Sequence, residues 1–289
     1  MRPAVLGAAA LLVAALLLGG CAGVSVPLPA AVQPAADIAV KTGAKAVRAS
    51  RPISDSEEYY VGRAVGARIL ARYPLYRNPE VTRYVNEVGL TLARKSSRPH
   101  TYRGYHFAVL DTEEPNAFAC PGGTILITRG LLKLCDNEDQ LAAVLAHEVA
   151  HIVHKDGINS ISQARWTEVL TTLGSEAARQ YGGPAGQLVS LFEDSVEDVF
   201  KTIVVNGYSR SAEEKADREA INILRKAGYN PGALAAVLMK MQGKEGAGGI
   251  YRTHPPTQER LAKVQALAPA TPPTGEELVR AERFKKLEF

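Results

Sequence analysis

Cysteine is scarce, with residues at positions 21, 120 and 135 and no CxxC pair among them. That spacing excludes both a disulfide-knotted scaffold and a zinc ribbon, so each cysteine is read on its own. Runs of like charge are missing as well. The formal net charge is +4 over 289 residues, with basic and acidic side chains interleaved, so nucleic acid is not an implied partner and only a mild attraction to an anionic membrane surface remains. No internal repeat recurs, which disfavours a solenoid. Nor is there a long apolar run: Ala4 to Leu18 falls short of the roughly 20 residues that a comfortable spanning helix needs. The apolar and charged fractions, 46% and 22%, are those of an ordinary globular protein and exclude disorder throughout.

What the N-terminus does contain is an export signal. Arg2 precedes the short apolar run, which ends in Leu18-Gly19-Gly20-Cys21. This ending resembles the lipobox of bacterial lipoproteins, with small residues before a cleavage point and a cysteine after it to receive a diacylglycerol. The resemblance implies a signal peptide over residues 1–20, a lipid on Cys21, and a protein held on the periplasmic side of a bacterial membrane. Ala22 in the next position implies sorting to the outer membrane. Residues 21–53, rich in Ala, Val and Pro without a steady period, suit a tether. With Cys21 acylated, Cys120 and Cys135 could join in an oxidising compartment if geometry allows.

The folded part is expected from residue 54 to 268, with a Pro-rich and charged tail over 269–289. Helical spacing is expected over Ser56–Arg72 and Pro79–Lys95, where Tyr84, Val88 and Leu92 share a face. Tyr105–Leu110 and Thr124–Thr128 read as strands of a small sheet. Asp136 or Asn137 can cap a buried helix that runs past Val149 to a stop at Gly157. Further helices are expected from Ser209 or Ser211 to Ala227, from Pro231 to Gln242, and from Pro256 to Leu267. The stretch 158–207 is amphipathic, carries no assignable chemistry, and suits a lid, a helical hairpin or a docking surface.

Within the buried helix stands His147-Glu148-Val149-Ala150-His151. Two imidazoles four residues apart project from one helical face and can share a tetrahedral zinc, while Glu148 reaches a metal-bound water. At this composition an HExxH arises by chance in roughly one such chain in a hundred. Burying its three polar side chains would also be costly unless a metal or partners satisfied them. Zinc needs a third protein ligand. The position six residues past His151 is Gly157, which excludes the metzincin arrangement, and His154 is too close along the same helix. A later helix must supply the ligand, and the candidate stretch is Ser209 to Asp217. There Glu213 and Asp217 share a face, so one could bind metal while the other hydrogen-bonds a ligand histidine. Glu214 has capping-box spacing from Ser211. Spacing alone does not choose between the two glutamates.

These motifs, together with Pro115-Asn116-Ala117-Phe118, Pro121-Gly122-Gly123, Thr128-Arg129-Gly130-Leu131-Leu132 and His254-Pro255-Pro256 with Arg260, resemble a gluzincin peptidase family. Its members are the HtpX heat-shock proteases, the mitochondrial Oma-type proteases and the Ste-type CAAX prenyl proteases, and the sequence is most similar to the periplasmic lipoprotein members. The resemblance implies a mostly helical α+β zincin-like domain, with a small sheet beside the HExxH helix. It implies one Zn2+ per chain on His147, His151 and Glu213, with Asp217 supporting a ligand histidine. Two features depart from the family pattern: a cysteine in the turn Ala119–Gly123, and the lack of a helical repeat array after the catalytic domain.

The expected reaction is zinc-dependent cleavage of misfolded or misassembled cell-envelope proteins, with Glu148 taking the proton of the attacking water. His254 or Arg260 would steady the oxyanion, and His254 could instead occupy the open metal position as a gate. Substrate would lie along an edge strand near Asn116, Ala117 and Phe118, or near Thr124–Thr128, through main-chain hydrogen bonds. Phe118 could equally be core. A rival enzyme class is peptide deformylase, which takes a cysteine as third ligand. The export signal argues against it. A rival outside enzymology is a zinc-bound assembly factor or chaperone whose proteolysis is latent.

Overall fold

The structure, a computed structural model, describes residues 53–160, 196–244 and 247–289. The leader, Cys21, the tether up to residue 52 and most of the stretch 158–207 lie outside the described residues. Among the described residues no helix is long and apolar enough to cross a membrane.

Helix α1 (Asp55–Arg72) begins at a reciprocal capping box, in which the Ser54 hydroxyl accepts from the Glu57 amide and the Glu57 carboxylate accepts from the Ser54 amide. Helix α2 (Pro79–Lys95) has Asn78 as its cap and proline in its first turn, where the missing N–H costs nothing. Three strands follow: β1 (His106–Leu110), β2 (Ala117–Cys120) and β3 (Thr124–Thr128). β3 is central, parallel to β1 and antiparallel to β2, in the order β1-β3-β2. The β2–β3 turn needs glycine, because Gly122 and Gly123 have φ of +79° and +113°.

Strand alternation sorts the side chains onto two faces. Phe107, Val109, Ala117, Ala119, Ile125 and Ile127 point into the larger core, while Leu110, Phe118, Cys120 and Leu126 point into a smaller core against α1. After α3 (Arg129–Leu134), helix α4 (Glu138–Val153), which carries the HExxH residues, fills the larger core, capped by Asn137 and buried at every position from Glu138 to Ile152. Lys155 adopts the left-handed region at φ 56° and turns the chain into the short α5 (Asp156–Asn159). A π-helical turn, Lys201–Asn206, precedes α6 (Arg210–Ala227), α7 (Ala233–Met241), α8 (Ile250–Thr253) and α9 (Gln258–Leu267).

The segment expected to be a tail is instead α10 (Gly275–Lys285). Phe284 enters the larger core at 4% exposure, and two arginines reach the first turn of α4. Arg280 donates to Asp139 at 2.9 and 3.0 Å, and Arg283 donates to Glu138 at 2.5 and 2.8 Å. Glu138 also accepts from the hydroxyls of Tyr84 and Tyr229. Two carboxylates at a helix N-terminus suit its dipole, yet their burial needs these partners. The far end of α4 is tied as well. Arg98 donates to the Ile152 carbonyl at 3.2 Å and to both oxygens of the fully buried Glu58, which also accepts from the Gly122 amide at 3.1 Å.

Expectations about the sheet also change. β3 is paired on both sides and offers no edge to a substrate. β2 is an edge strand, but Ala117 and Phe118 are fully buried, and Phe118 stacks on Tyr73 in the smaller core. Cys120 and Cys135 are free and sit in different cores, where burial pushes both thiols up to about 12.

Arg283→Ala should therefore lower stability by about 1–2 kcal/mol, the figure for a charged hydrogen bond discounted because this arginine is largely solvated. Lys285→Ala, which loses only the exposed pair with Glu282, should leave the denaturant midpoint unchanged. Equal midpoints for the two variants would show that the α10 contact with α4 contributes nothing.

Candidate metal centre

Packing of α6 against α4 builds the centre. The four-residue spacing within each helix places His147 and His151 opposite Glu213 and Asp217. The Nε2 atoms of the two histidines are 3.1 Å apart. Glu213 lies 3.3 Å from His147 Nε2 and 3.4 Å from His151 Nε2. Donors that share one tetrahedral ion at about 2 Å should stand about 3.3 Å from each other. The three residues thus have the spacing and the chemistry of a metal site, and the residues fit the group that their pattern implies. His254 joins them, with Nδ1 2.9 Å from Glu213 and 3.3 Å from His147 Nε2. All four residues are buried, and their donor atoms lie within 4.8 Å of one another.

The outer nitrogen of each helix histidine faces a carboxylate, Asp217 at 3.1 Å from His147 Nδ1 and Asp156 at 2.8 Å from His151 Nδ1. At His151 the carboxylate hydrogen-bonds Nδ1, which favours the proton there and turns the Nε2 lone pair towards the centre. Burial opposes a charged imidazole, but Asp156 and Glu213 outweigh it and hold His151 up to about 10. Burial alone would raise Glu213, yet Arg260, His254 and His147 keep it well below the usual carboxylate range. Asp217 is held down to about 2 against the same burial, chiefly by Arg260. The carboxylates of Glu148, Asp156, Glu213 and Asp217 meet one guanidinium, so the centre has negative charge to spare for a divalent cation. Glu148 has a different environment: both carboxylate oxygens are buried without a hydrogen-bond partner, and His254 Nε2 stands 3.7 Å from one of them.

Arg260 is committed to carboxylates. It donates to both oxygens of Asp217 at 2.6 and 2.8 Å and approaches Glu213 at 2.6 Å. The structure thus shows it clamping these two carboxylates. Asn116 is likewise structural. Its side chain accepts from its own strand at Ala117 and from Thr253, next to His254, and the Pro115 carbonyl accepts from the Ile250 amide at 2.9 Å. The side chains of Asn116, Ala117 and Phe118 therefore support the loop before His254 and the sheet, while among the described residues β2 keeps one unpaired edge. The helix cap is Ser209, whose hydroxyl accepts from the Ala212 amide, so the expected box between Ser211 and Glu214 does not form. Glu214 pairs with Lys263 at 2.8 Å instead. Neither Cys120 nor Cys135 belongs to the donor cluster, which removes the arrangement that a deformylase would need.

Two residues at the centre had no reading in the sequence. Asp156 lies five positions past His151, beyond a helix, and only the left-handed turn at Lys155 brings it back. Tyr208 stacks on His151, with ring centroids 4.1 Å apart and planes 23° apart. It precedes the cap of α6 and lies in no periodic pattern.

Residues 79–268 match the family model described as peptidase family M48. The chain belongs to that family. Among relatives of this M48 peptidase, the beta-barrel assembly-enhancing protease of Escherichia coli is 28% identical over 218 residues, which cover 71% of this chain and 41% of the relative. A protease HtpX homolog of Salinibacter ruber is 30% identical over 55% of this chain and 67% of its own length. The mitochondrial metalloendopeptidase OMA1 of Schizosaccharomyces pombe is 29% identical over 56% of this chain and 46% of its own. The chain thus spans about two-fifths of the first of these relatives. The order of helix, sheet, HExxH helix and glutamate helix agrees with the mostly helical zincin-like domain expected from sequence.

Glu213→Ala should lower the metal bound per chain after dialysis, whereas Glu214→Ala should retain it, as metal analysis by mass spectrometry would show. Asp156→Asn should weaken metal affinity by about 10- to 100-fold, the usual effect of losing a carboxylate behind a ligand histidine. Full metal retention in Glu213→Ala would remove that residue from the ligand set.

Proposed function

We propose that the protein is a zinc endopeptidase that cleaves misfolded or misassembled cell-envelope proteins, held on the periplasmic side of the outer membrane by a lipid on Cys21. Its ligands would be His147, His151 and Glu213. The observation that carries this reading is Glu148: a buried carboxylate, free of hydrogen-bond partners, set between the two ligand histidines. No structural role accounts for burying such a group, which costs free energy unless function uses it.

Bound zinc would lower the pKa of a water and polarise the scissile carbonyl. Glu148 accepts the proton of the attacking water and later delivers it to the departing amine. Asp156, Asp217 and Arg260 hold the ligand side chains in place, so little reorganisation accompanies the reaction. A cleft lined by Tyr208, Glu213, Pro255, Thr257 and Arg260 borders the centre and gives substrate a route to it. Envelope substrates are supported by the export signal and by the name of the beta-barrel assembly-enhancing protease relative.

Glu148→Gln should keep the metal and the fold while losing casein cleavage by at least about 100-fold, because the amide cannot take the water's proton. Cleavage at the wild-type rate would end the mechanism with Glu148 as base, and no cleavage by either form would leave the assembly-factor alternative.

His254 serves the resting state in this reading. Its imidazole is close enough to Glu213 and His147 to complete a four-donor set, and the backbone before it has glycines at φ +89° and +53°, Gly248 and Gly249. Substrate would have to displace the ring. His254→Ala should raise basal casein cleavage with metal content unchanged. A fall in cleavage would instead assign His254 to the oxyanion.

A further inference from the structure

Tyr208 remains unexplained by the ligand set, the base or the gate. Its ring and the backbone before it are both held in place. One face stacks on His151, and the preceding Gly207, at φ +76°, lies so close to the Thr253 carbonyl that a Cβ there would stand 2.4 Å from the oxygen. The chain at 207–208 is therefore wedged against the loop that carries His254, whose ring is 6.0 Å away. The Tyr208 hydroxyl is completely buried and has no hydrogen-bond partner. It is the one hydroxyl of that kind among the described residues, although leaving such a group unpaired costs about 1–3 kcal/mol. Stacking alone would be served as well by phenylalanine. A phenol carries its proton at neutral pH and is able to donate, and Tyr208 lines the cleft that Glu213 and Arg260 also line. The other candidate donors are engaged, Arg260 with Asp217 and Glu213, and His254 with Glu213.

We propose that Tyr208 is a catalytic residue whose hydroxyl donates a hydrogen bond to the scissile carbonyl oxygen as negative charge develops on it. The inference rests on the peptidase reading above. As the water oxygen bonds to the carbonyl carbon, the C=O π pair moves onto the oxygen and the water's proton passes to Glu148. When the C–N bond breaks, that pair re-forms the carbonyl and the proton goes to the amine nitrogen. Tyr208 keeps its own proton throughout. A neutral buried donor of this sort strengthens its bond only as charge appears, which is the condition for lowering a barrier.

The test uses the full zinc-loaded chain, with Tyr208→Phe, Tyr208→Ala and Glu148→Gln compared on a fluorogenic peptide. Binding of a phosphinic peptide, which mimics the tetrahedral species, is measured by calorimetry without turnover. Tyr208→Phe keeps the stacking and should keep zinc and KM, while kcat falls by about 100-fold and phosphinic affinity falls by a similar factor. Tyr208→Ala should lose zinc affinity in addition. A Tyr208→Phe kcat and phosphinic affinity within about threefold of wild type, or a kcat loss that tracks lost zinc, would overturn the proposal. Absence of cleavage by the zinc-loaded wild type would instead strike the peptidase reading, and the phosphinic affinities would still judge Tyr208.

Discussion

Everything at the centre follows from the cost of burying charge. Glu148, Glu213 and Asp217 stand at no more than 3% exposure, where an unpaired carboxylate is expensive. The fold meets that cost by converging positive groups on them: Arg260 clamps Asp217 and Glu213, and the imidazoles of His147, His151 and His254 crowd the same space. Only Glu148 lacks a hydrogen-bond partner. The arrangement separates two kinds of acid. Asp156, Asp217 and Glu213 pair with other side chains of the centre, and Glu148 hydrogen-bonds none of them, which is the contrast that the proposed role as base rests on.

A site of this kind has to be rigid, and α4 is held at both ends by similar chemistry. Arg280 and Arg283 tie its first turn through Asp139 and Glu138, while Arg98 and Glu58 tie its last carbonyls to the glycine turn of the sheet. Between those ties the helix packs on one face of a sheet only three strands wide. The HExxH helix therefore has little freedom to slide, and the proposed gating would fall to the loops carrying Tyr208 and His254, which pack against each other through Gly207 and Thr253.

The sequence made local and periodic features legible. The bounds of α2 and β3 match their expected spans because Asn78, the proline of the first turn and the β-branched run act over a few residues. His147, Glu148 and His151 were visible for the same reason, since a helix converts spacing into a shared face. The choice of Glu213 over Glu214 was not available from spacing. It came from resemblance, and in the structure Glu213 lies in the donor cluster while Glu214 pairs with Lys263. Features joined by tertiary contact were hidden. Asp156 needs a left-handed residue to fold back, Tyr208 needs the wedge at Gly207, and α10 was mistaken for a tail because its local composition is polar while its two arginines meet carboxylates more than 140 residues away. Phe118 followed the commoner fate of its type and went to the core.

The contact between α10 and the first turn of α4 sets an order of assembly. Ribosomes deliver a chain from its N-terminus, so Glu138 and Asp139 emerge long before Arg280 and Arg283. Until those arginines arrive, the helix that carries both ligand histidines has two carboxylates at its start with no cation to offset their burial. The helix that carries His147 and His151 thus gains the partners of its first turn late, after Glu213 and His254 have already been made.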